Sequence, residues 1–158
     1  MDFKKIYAEY WPKVFRLCMG FVNDSEWAKD IAQDSFLLIW QALPKFRNES
    51  AIGTWIFRIA TNQCLRQIER AKRLPGSELP AEVPEQPVSN IEEQTALLYK
   101  YIAALPETDR IIISLELEDV RQAEIANIVG ISEANVRVKV HRIKEKLTEK
   151  FAKHEERV

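Results

Sequence analysis

Arg121-Gln-Ala-Glu-Ile-Ala-Asn-Ile-Val-Gly-Ile-Ser-Glu-Ala-Asn-Val-Arg-Val-Lys-Val-His-Arg-Ile-Lys-Glu-Lys-Leu147 is the stretch that decides how this chain reads. It reads as helix, tight turn, helix. Gly130 suits a left-handed turn, where any side chain would be strained. Ser132 is placed to cap the second helix, since its hydroxyl can accept from an orphan amide two or three residues on. Val136, Val140, Ile143 and Leu147 fall at i, i+4, i+7 and i+11, one stripe that must pack on the rest of a domain. Arg137, Val138, His141 and Arg142 then point away from that core, while Lys139, Lys144 and Lys146 flank the stripe. This is the pattern of a helix-turn-helix whose second helix enters a DNA major groove. Early-turn side chains would approach base edges and the lysines phosphates. A solvated amphipathic helix is the blander reading. The Gly turn and the small residue in Glu124-Ile-Ala, suited to a close helix crossing, favour the motif. His141 has no His or Cys nearby, so it is DNA-facing or simply exposed rather than a metal ligand, and His154 in the charged tail has no role.

Working outward, the bulk composition is that of a packed protein: 158 residues, 46% hydrophobic and 30% charged. The net charge of −1 argues against a DNA binder until its distribution is read. Residues 1–73 hold 12 Lys/Arg against 8 Asp/Glu, residues 74–93 hold five Glu and no base, and residues 133–153 hold seven bases against three acids. Two basic surfaces flank an acidic connector, and local field is what steers a polyanion. Cys18 and Cys64 lack metal-ligand spacing and read as buried or half-buried thiols in a reducing cytosol. No metal and no cofactor are expected. The N-terminus leads into no apolar h-region, so no signal peptide is expected. No apolar run approaches the ~20 residues of a membrane span, so no membrane insertion is expected either.

Four of the seven prolines lie in residues 74–90, too densely for a helix. This predicts an exposed acidic, proline-rich linker at 74–90 between an N-terminal domain at 1–73 and a C-terminal domain at 91–158. Everything else is helical in period. Phe3, Ile6, Tyr7, Tyr10, Val14 and Leu17 recur at three- and four-residue steps, with Pro12 opening a second segment or kinking the first. Asn23-Asp-Ser25 is a cap signal for a helix to about Leu43, closed by Pro44. Phe36 and Trp40 are expected to be mainly core. A third helix runs from about Thr54 to Arg73, with Trp55, Ile59, Asn62, Leu65 and Ile68 spaced for one side. Ile91 to Leu105 forms a helix, and Pro106 opens the next, through about Leu117. No alternating strand pattern appears. The fold class is all-α, two small helical domains, the second carrying the helix-turn-helix.

The first domain narrows the function. Asp30-Ile-Ala-Gln33-Asp34-Ser-Phe36-Leu-Leu-Ile-Trp40, then Phe46, Trp55-Ile-Phe-Arg58-Ile-Ala-Thr-Asn62 and the basic run Arg66 to Arg73, resembles the second conserved domain of bacterial sigma factors. Leu105-Pro-Glu-Thr-Asp-Arg110, Glu-Ile-Ala, and Val136-Arg-Val-Lys-Val-His-Arg142 resemble their fourth. Two such domains on one short linker resemble the extracytoplasmic-function (ECF) group. Asp30, Gln33 and Asp34 lie within about one helical turn and can share a polar face. The resemblance implies that this face docks on a coiled coil of core RNA polymerase, with plain solvent exposure as the alternative. It also implies that the loop at 45–53 holds a base flipped out of the minus-ten strand. Lys45, Arg47, Asn48, Arg58, Asn62 and Arg66 are the implied minus-ten contacts, polar edges and arginines suited to a splayed strand. Trp55 is core packing or a stacking platform.

By the same resemblance Arg137, Val138, Lys139, His141, Arg142 and Lys144 face the minus-thirty-five duplex. The sequence departs from the family at Arg66, where an acid is frequent, and at Asp119, where glycine is common. Asp tolerates a left-handed turn better than most residues. The linker acids Glu78, Glu82, Glu85, Glu92 and Glu93 read as a solubilising tether or as nucleic-acid mimicry inside the polymerase. The implied function is an alternative sigma factor: cytoplasmic, without catalytic groups, partnered by core RNA polymerase, promoter DNA and an anti-sigma factor. The other reading is a stand-alone helix-turn-helix regulator independent of polymerase. An enzyme is disfavoured, since no Gly-rich phosphate loop, metal cluster or triad is visible.

Overall fold

The computed structural model describes residues 2–73 and 90–156. The chain divides into two units, Met1–Pro87 and Val88–Val158. All but Asn90 of the stretch 74–90, expected as the acidic linker, lies outside the described residues. The described residues are all-α, with no strand among them. None of the described helices is long and apolar enough to cross a membrane.

The first unit is built from α1 (Phe3–Val22), α2 (Ser25–Ala42) and α3 (Ile52–Arg73). α1 starts where the Asp2 carboxylate accepts from the Lys4 amide at 3.0 Å. It stays one continuous helix with Pro12 inside it. Pro12 and Ala8 are both exposed, so the carbonyl that loses its donor lies on the solvent side. Asn23 ends α1 in a left-handed conformation, and the Asp24 side chain caps α2 by accepting from the Trp27 amide at 3.1 Å. α2 stops at Ala42. Pro44, whose missing N–H cannot continue α2, lies in the short 3₁₀ turn at Leu43–Lys45 that follows it.

Val14, Leu17 and Phe21 from α1, Ile31, Phe36 and Ile39 from α2, and Ile56, Phe57 and Ile68 from α3 form the core. Burying each such side chain contributes about 1.5–3 kcal/mol. The inward side of α3 is Thr54, Ile56, Phe57, Ala60, Thr61, Cys64 and Ile68, whereas Trp55, Ile59 and Leu65 are only half-buried and Asn62 is exposed. Of the residues spaced for one side only Ile68 is buried, because small residues carry much of the burial on the inner face. Phe36 is core, but Trp40 is 58% exposed. Phe36 is covered by the rings of Phe3, Tyr7 and Trp11. Trp40 lies one turn further along α2 and, with Phe3, lines a groove beside the loop that follows.

The second unit holds α4 (Asn90–Ala103), α5 (Glu107–Leu117), α6 (Gln122–Val129) and α7 (Glu133–Glu156). Glu92 and Glu93 fall in the first turn of α4, where acids suit the helix dipole. Pro106 stands just before α5. Ile102, Ile111, Ile112, Ile113, Leu115 and Ile125 meet the α7 stripe of Val136, Val140, Ile143 and Leu147 in one buried core. Tyr101 on α4 sets its ring edge-on to Phe151 on α7 at 5.0 Å between centroids. Asp119 adopts a left-handed φ of 62° just before α6, the conformation that a glycine would otherwise supply.

Candidate nucleic-acid interface

In the second unit the turn between α6 and α7 is made by Gly130 at φ 83°, whose amide donates to the Ala126 carbonyl at 2.8 Å. The Ile131 amide donates to the same carbonyl at 3.2 Å. These bonds close α6 and redirect the chain within two residues. Ser132 then caps α7, its hydroxyl accepting from the Asn135 amide at 3.1 Å. With the aliphatic stripe buried, Arg137, Val138, His141 and Arg142 face outward and are exposed. Val138 is 46% exposed, an apolar side chain between Arg137 and Lys139.

Not every outward polar side chain on α7 is unengaged. His141 Nε2 lies 3.0 Å from Glu145 Oε1 on the next turn. Lys139 Nζ reaches Asp109 at 3.5 Å, and Lys144 Nζ reaches Glu116 at 3.4 Å, both carboxylates on α5. These lysine partners are 30 and 28 residues away in sequence, so no local pattern signals them.

In the first unit Asp30, Gln33 and Asp34 are all exposed on one side of α2. Sequence reasoning missed Leu37 and Trp40, which continue that side and are 55% and 58% exposed. Their spacing from Gln33, four and seven residues on, was the available signal. The face is therefore acidic at one end and apolar at the other, unlike a merely solvated surface.

Lys45 ends the 3₁₀ turn, and Arg47 and Asn48 are exposed in the loop that follows. Asn48 takes a left-handed φ of 57°, which Asn tolerates. The loop is closed across its base by Phe46 and Trp55, whose ring centroids are 4.8 Å apart. Trp55 is thus half-buried against Phe46, part core and part surface. A groove of about 550 Å³ beside the loop is lined by Phe3, Trp40, Leu43, Pro44, Phe46 and Asn48. On α3, Arg58, Asn62 and Arg66 follow at four-residue steps; Arg58 is half-buried and the other two are exposed. Gly53 lets the Tyr10 side chain reach the first turn of α3: a Cβ there would sit 3.0 Å from the Tyr10 hydroxyl.

Cys18 and Cys64 are buried free thiols with their sulfurs 3.7 Å apart. The hydrogen bond between them and then burial hold the Cys18 thiol well above its ordinary range, so it stays protonated. Among the described residues no group of three or more His, Cys, Asp or Glu is placed to hold a metal ion.

Two family models match the chain. Sigma-70 region 2 covers residues 6–74, and Sigma-70 region 4 covers residues 95–147. The RNA polymerase sigma-H factor of Pseudomonas aeruginosa is 31% identical over 90% of this chain and 82% of its own length. An ECF RNA polymerase sigma-E factor of Salmonella typhimurium is 30% identical, over 94% of this chain and 85% of its own. Among solved structures, the sigma factor RpoE in complex with the anti-sigma factor NepR, from Bartonella quintana, superposes with a TM-score of 0.78. That match has 20% identity and covers 94% of this chain and 95% of that one.

Proposed function

The chain belongs to the ECF group of RNA polymerase sigma factors, and on that premise we propose how its residues divide the work. As a member it binds core RNA polymerase and directs promoter-specific transcription initiation; the reading as a polymerase-independent regulator is not favoured. The observation that carries the residue assignment is the order of surfaces along one chain. An acidic-apolar helix face and a basic strand-sized surface lie in the region 2 part, and a helix-turn-helix lies in the region 4 part.

Asp30, Gln33 and Asp34, with Leu37 and Trp40, form the face for core polymerase. The carboxylates steer a basic partner and the exposed Trp40 and Leu37 supply apolar area to bury, the combination that makes an interface anchor. Lys45, Arg47 and Asn48 from the loop, with Arg58, Asn62 and Arg66 from α3, hold the melted minus-ten strand. The cations track its backbone and the amides read an unstacked base. In the second unit Arg137, Val138, His141 and Arg142 read the minus-thirty-five duplex, with Lys139 and Lys144 toward phosphates. The division into residues 1–73 and 91–158, joined by an acidic tether at 74–90, is part of the proposal.

The chain contributes no catalytic group: polymerase does the chemistry, and the work is done where polymerase is, in the cytoplasm. No cofactor enters this account. An anti-sigma protein is the proposed negative partner, as for the Bartonella quintana sigma factor. The deciding experiment is capture of core RNA polymerase by the tagged full chain, repeated with Asp30, Gln33 and Asp34 changed to Ala and with Trp40→Ala. Capture by the wild type and its loss in both variants is expected. Capture that is indifferent to both changes removes α2 as the docking face.

A further inference from the structure

The two lysines that bracket the α7 stripe are held from behind. Lys139 lies just before Val140 and Lys144 just after Ile143, so they leave α7 on opposite sides of its buried face. Both reach back to α5, Lys139 to Asp109 at 3.5 Å and Lys144 to Glu116 at 3.4 Å. Asp109 is in the first turn of α5 and Glu116 is one residue from its end. The carboxylates are largely covered, with side chains 17% and 20% exposed, whereas the lysines are 41% and 56% exposed. Solvent, or a phosphate, can therefore approach the ammonium groups while the carboxylates stay behind them. On the outward face the His141 Nε2 lies 3.0 Å from Glu145 Oε1. That leaves the exposed guanidiniums of Arg137 and Arg142 as the groups best suited to bidentate base contacts.

Lysine–phosphate contact supplies affinity without sequence information, and base contact supplies the information. A recognition helix that neutralises its own lysines therefore lowers its grip on every duplex alike. We propose that Asp109 and Glu116 are specificity-determining residues that compete with DNA phosphates for Lys139 and Lys144. By holding these lysines they keep non-specific duplex affinity low, so that Arg137, His141 and Arg142 dominate the choice of site. The inference rests on the reading of α7 as the minus-thirty-five helix. Part-exposed ion pairs are weak, so a phosphate displaces the carboxylate at modest cost rather than being shut out.

The test is fluorescence anisotropy of the full chain on a labelled duplex of random sequence, through a KCl titration. The variants are Asp109→Asn with Glu116→Gln, Lys139→Met with Lys144→Met, and all four together. The Asn and Gln side chains keep the shape of the acids they replace. Removing the carboxylates should raise affinity about two- to fivefold for each lysine released. It should also steepen the slope of log affinity against log salt by up to about 0.9 per lysine. Both effects should vanish in the background lacking the lysines. An equal gain with and without the lysines would show that the acids act only through bulk charge, and would overturn the proposal; so would no gain at all. The underlying assignment is read separately, by transcription from the native promoter with Arg142→Ala. If that change is silent, the role of α7 falls. If it lowers transcription while the carboxylate variant binds like wild type, only the present inference falls.

Discussion

α3 and α7 are the last described helices of their units, both long, both amphipathic and both presenting cations to solvent, yet they are seated in different ways. α7 buries Val136, Val140, Ile143 and Leu147, four aliphatic side chains at strict helical spacing. α3 buries Ile56, Phe57 and Ile68 together with Thr54, Ala60, Thr61 and Cys64, and leaves Trp55, Ile59 and Leu65 half-covered. α2 likewise offers Ala28, Ala32 and Ser35 among its buried residues. Helices that meet through small side chains come close together and push their larger neighbours to the rim. Hydrophobicity alone therefore locates the inner face of α7 and misplaces that of α3.

The largest expected effect tests that difference directly. Ile143→Ala removes a side chain 2% exposed and should cost about 2–5 kcal/mol of the second unit's stability. The matching truncation on α3, Leu65→Ala, removes a half-buried side chain and should cost about 1 kcal/mol. All four tryptophans lie in the first unit, so urea unfolding followed by Trp fluorescence reads α3, and far-ultraviolet dichroism adds α7. Equal costs would erase the contrast.

The outward faces differ as well. Arg142 is exposed on a helix whose axis is fixed by the buried stripe, so its guanidinium can meet a base edge in a defined register. Arg142→Ala should cost about 1–3 kcal/mol at one minus-thirty-five position and relax preference there. Run-off transcription on promoters varied at each position checks this, and a uniform loss across all variants would make Arg142 a phosphate contact instead. Arg58, Asn62 and Arg66 share their side of α3 with half-buried Trp55 and Ile59, so a single substitution there mixes packing with contact.

This contrast also explains what could be read before the structure. The α7 stripe, the Ser132 cap, the Gly130 turn and the left-handed Asp119 are local, each set by residues within a turn or two, and the structure holds all of them. The Asp24 cap is local too. Exposure of Trp40 is not local. It depends on which side of the last turn of α2 the neighbouring elements cover: Ile39 is fully buried there and Trp40 is 58% exposed. The pairs from Lys139 and Lys144 to α5 and the approach of Tyr10 to Gly53 are tertiary for the same reason. The acidic-apolar face of α2 fell between the two cases, legible at its Asp30–Asp34 end and hidden at its Leu37–Trp40 end.

The smallest effects concern how the two helices begin. α7 depends on a side chain that is present: Ser132→Ala removes the hydroxyl that accepts from the Asn135 amide and should lower stability by about 1 kcal/mol. At the start of α3 a side chain is absent, and Tyr10 takes the space. At Gly53→Ala the new Cβ would meet the Tyr10 hydroxyl at 3.0 Å and the ring edge at 3.4 Å, so Tyr10 must move by a few tenths of an ångström. Against that strain stands the better helix propensity of Ala, worth about 0.8–1 kcal/mol in a helix interior and less at a helix start. The Tyr10 ring is held edge-on to Phe57 at 6.1 Å with the Lys13 ammonium 5.2 Å from its centroid, so its displacement is resisted but not blocked. The two terms should nearly cancel, and urea unfolding by Trp fluorescence should shift by only a few tenths of a kcal/mol. A loss comparable to that of Ser132→Ala would mean that Tyr10 cannot yield. Its packing against the first turn of α3 would then fix where that helix starts as firmly as a cap fixes α7.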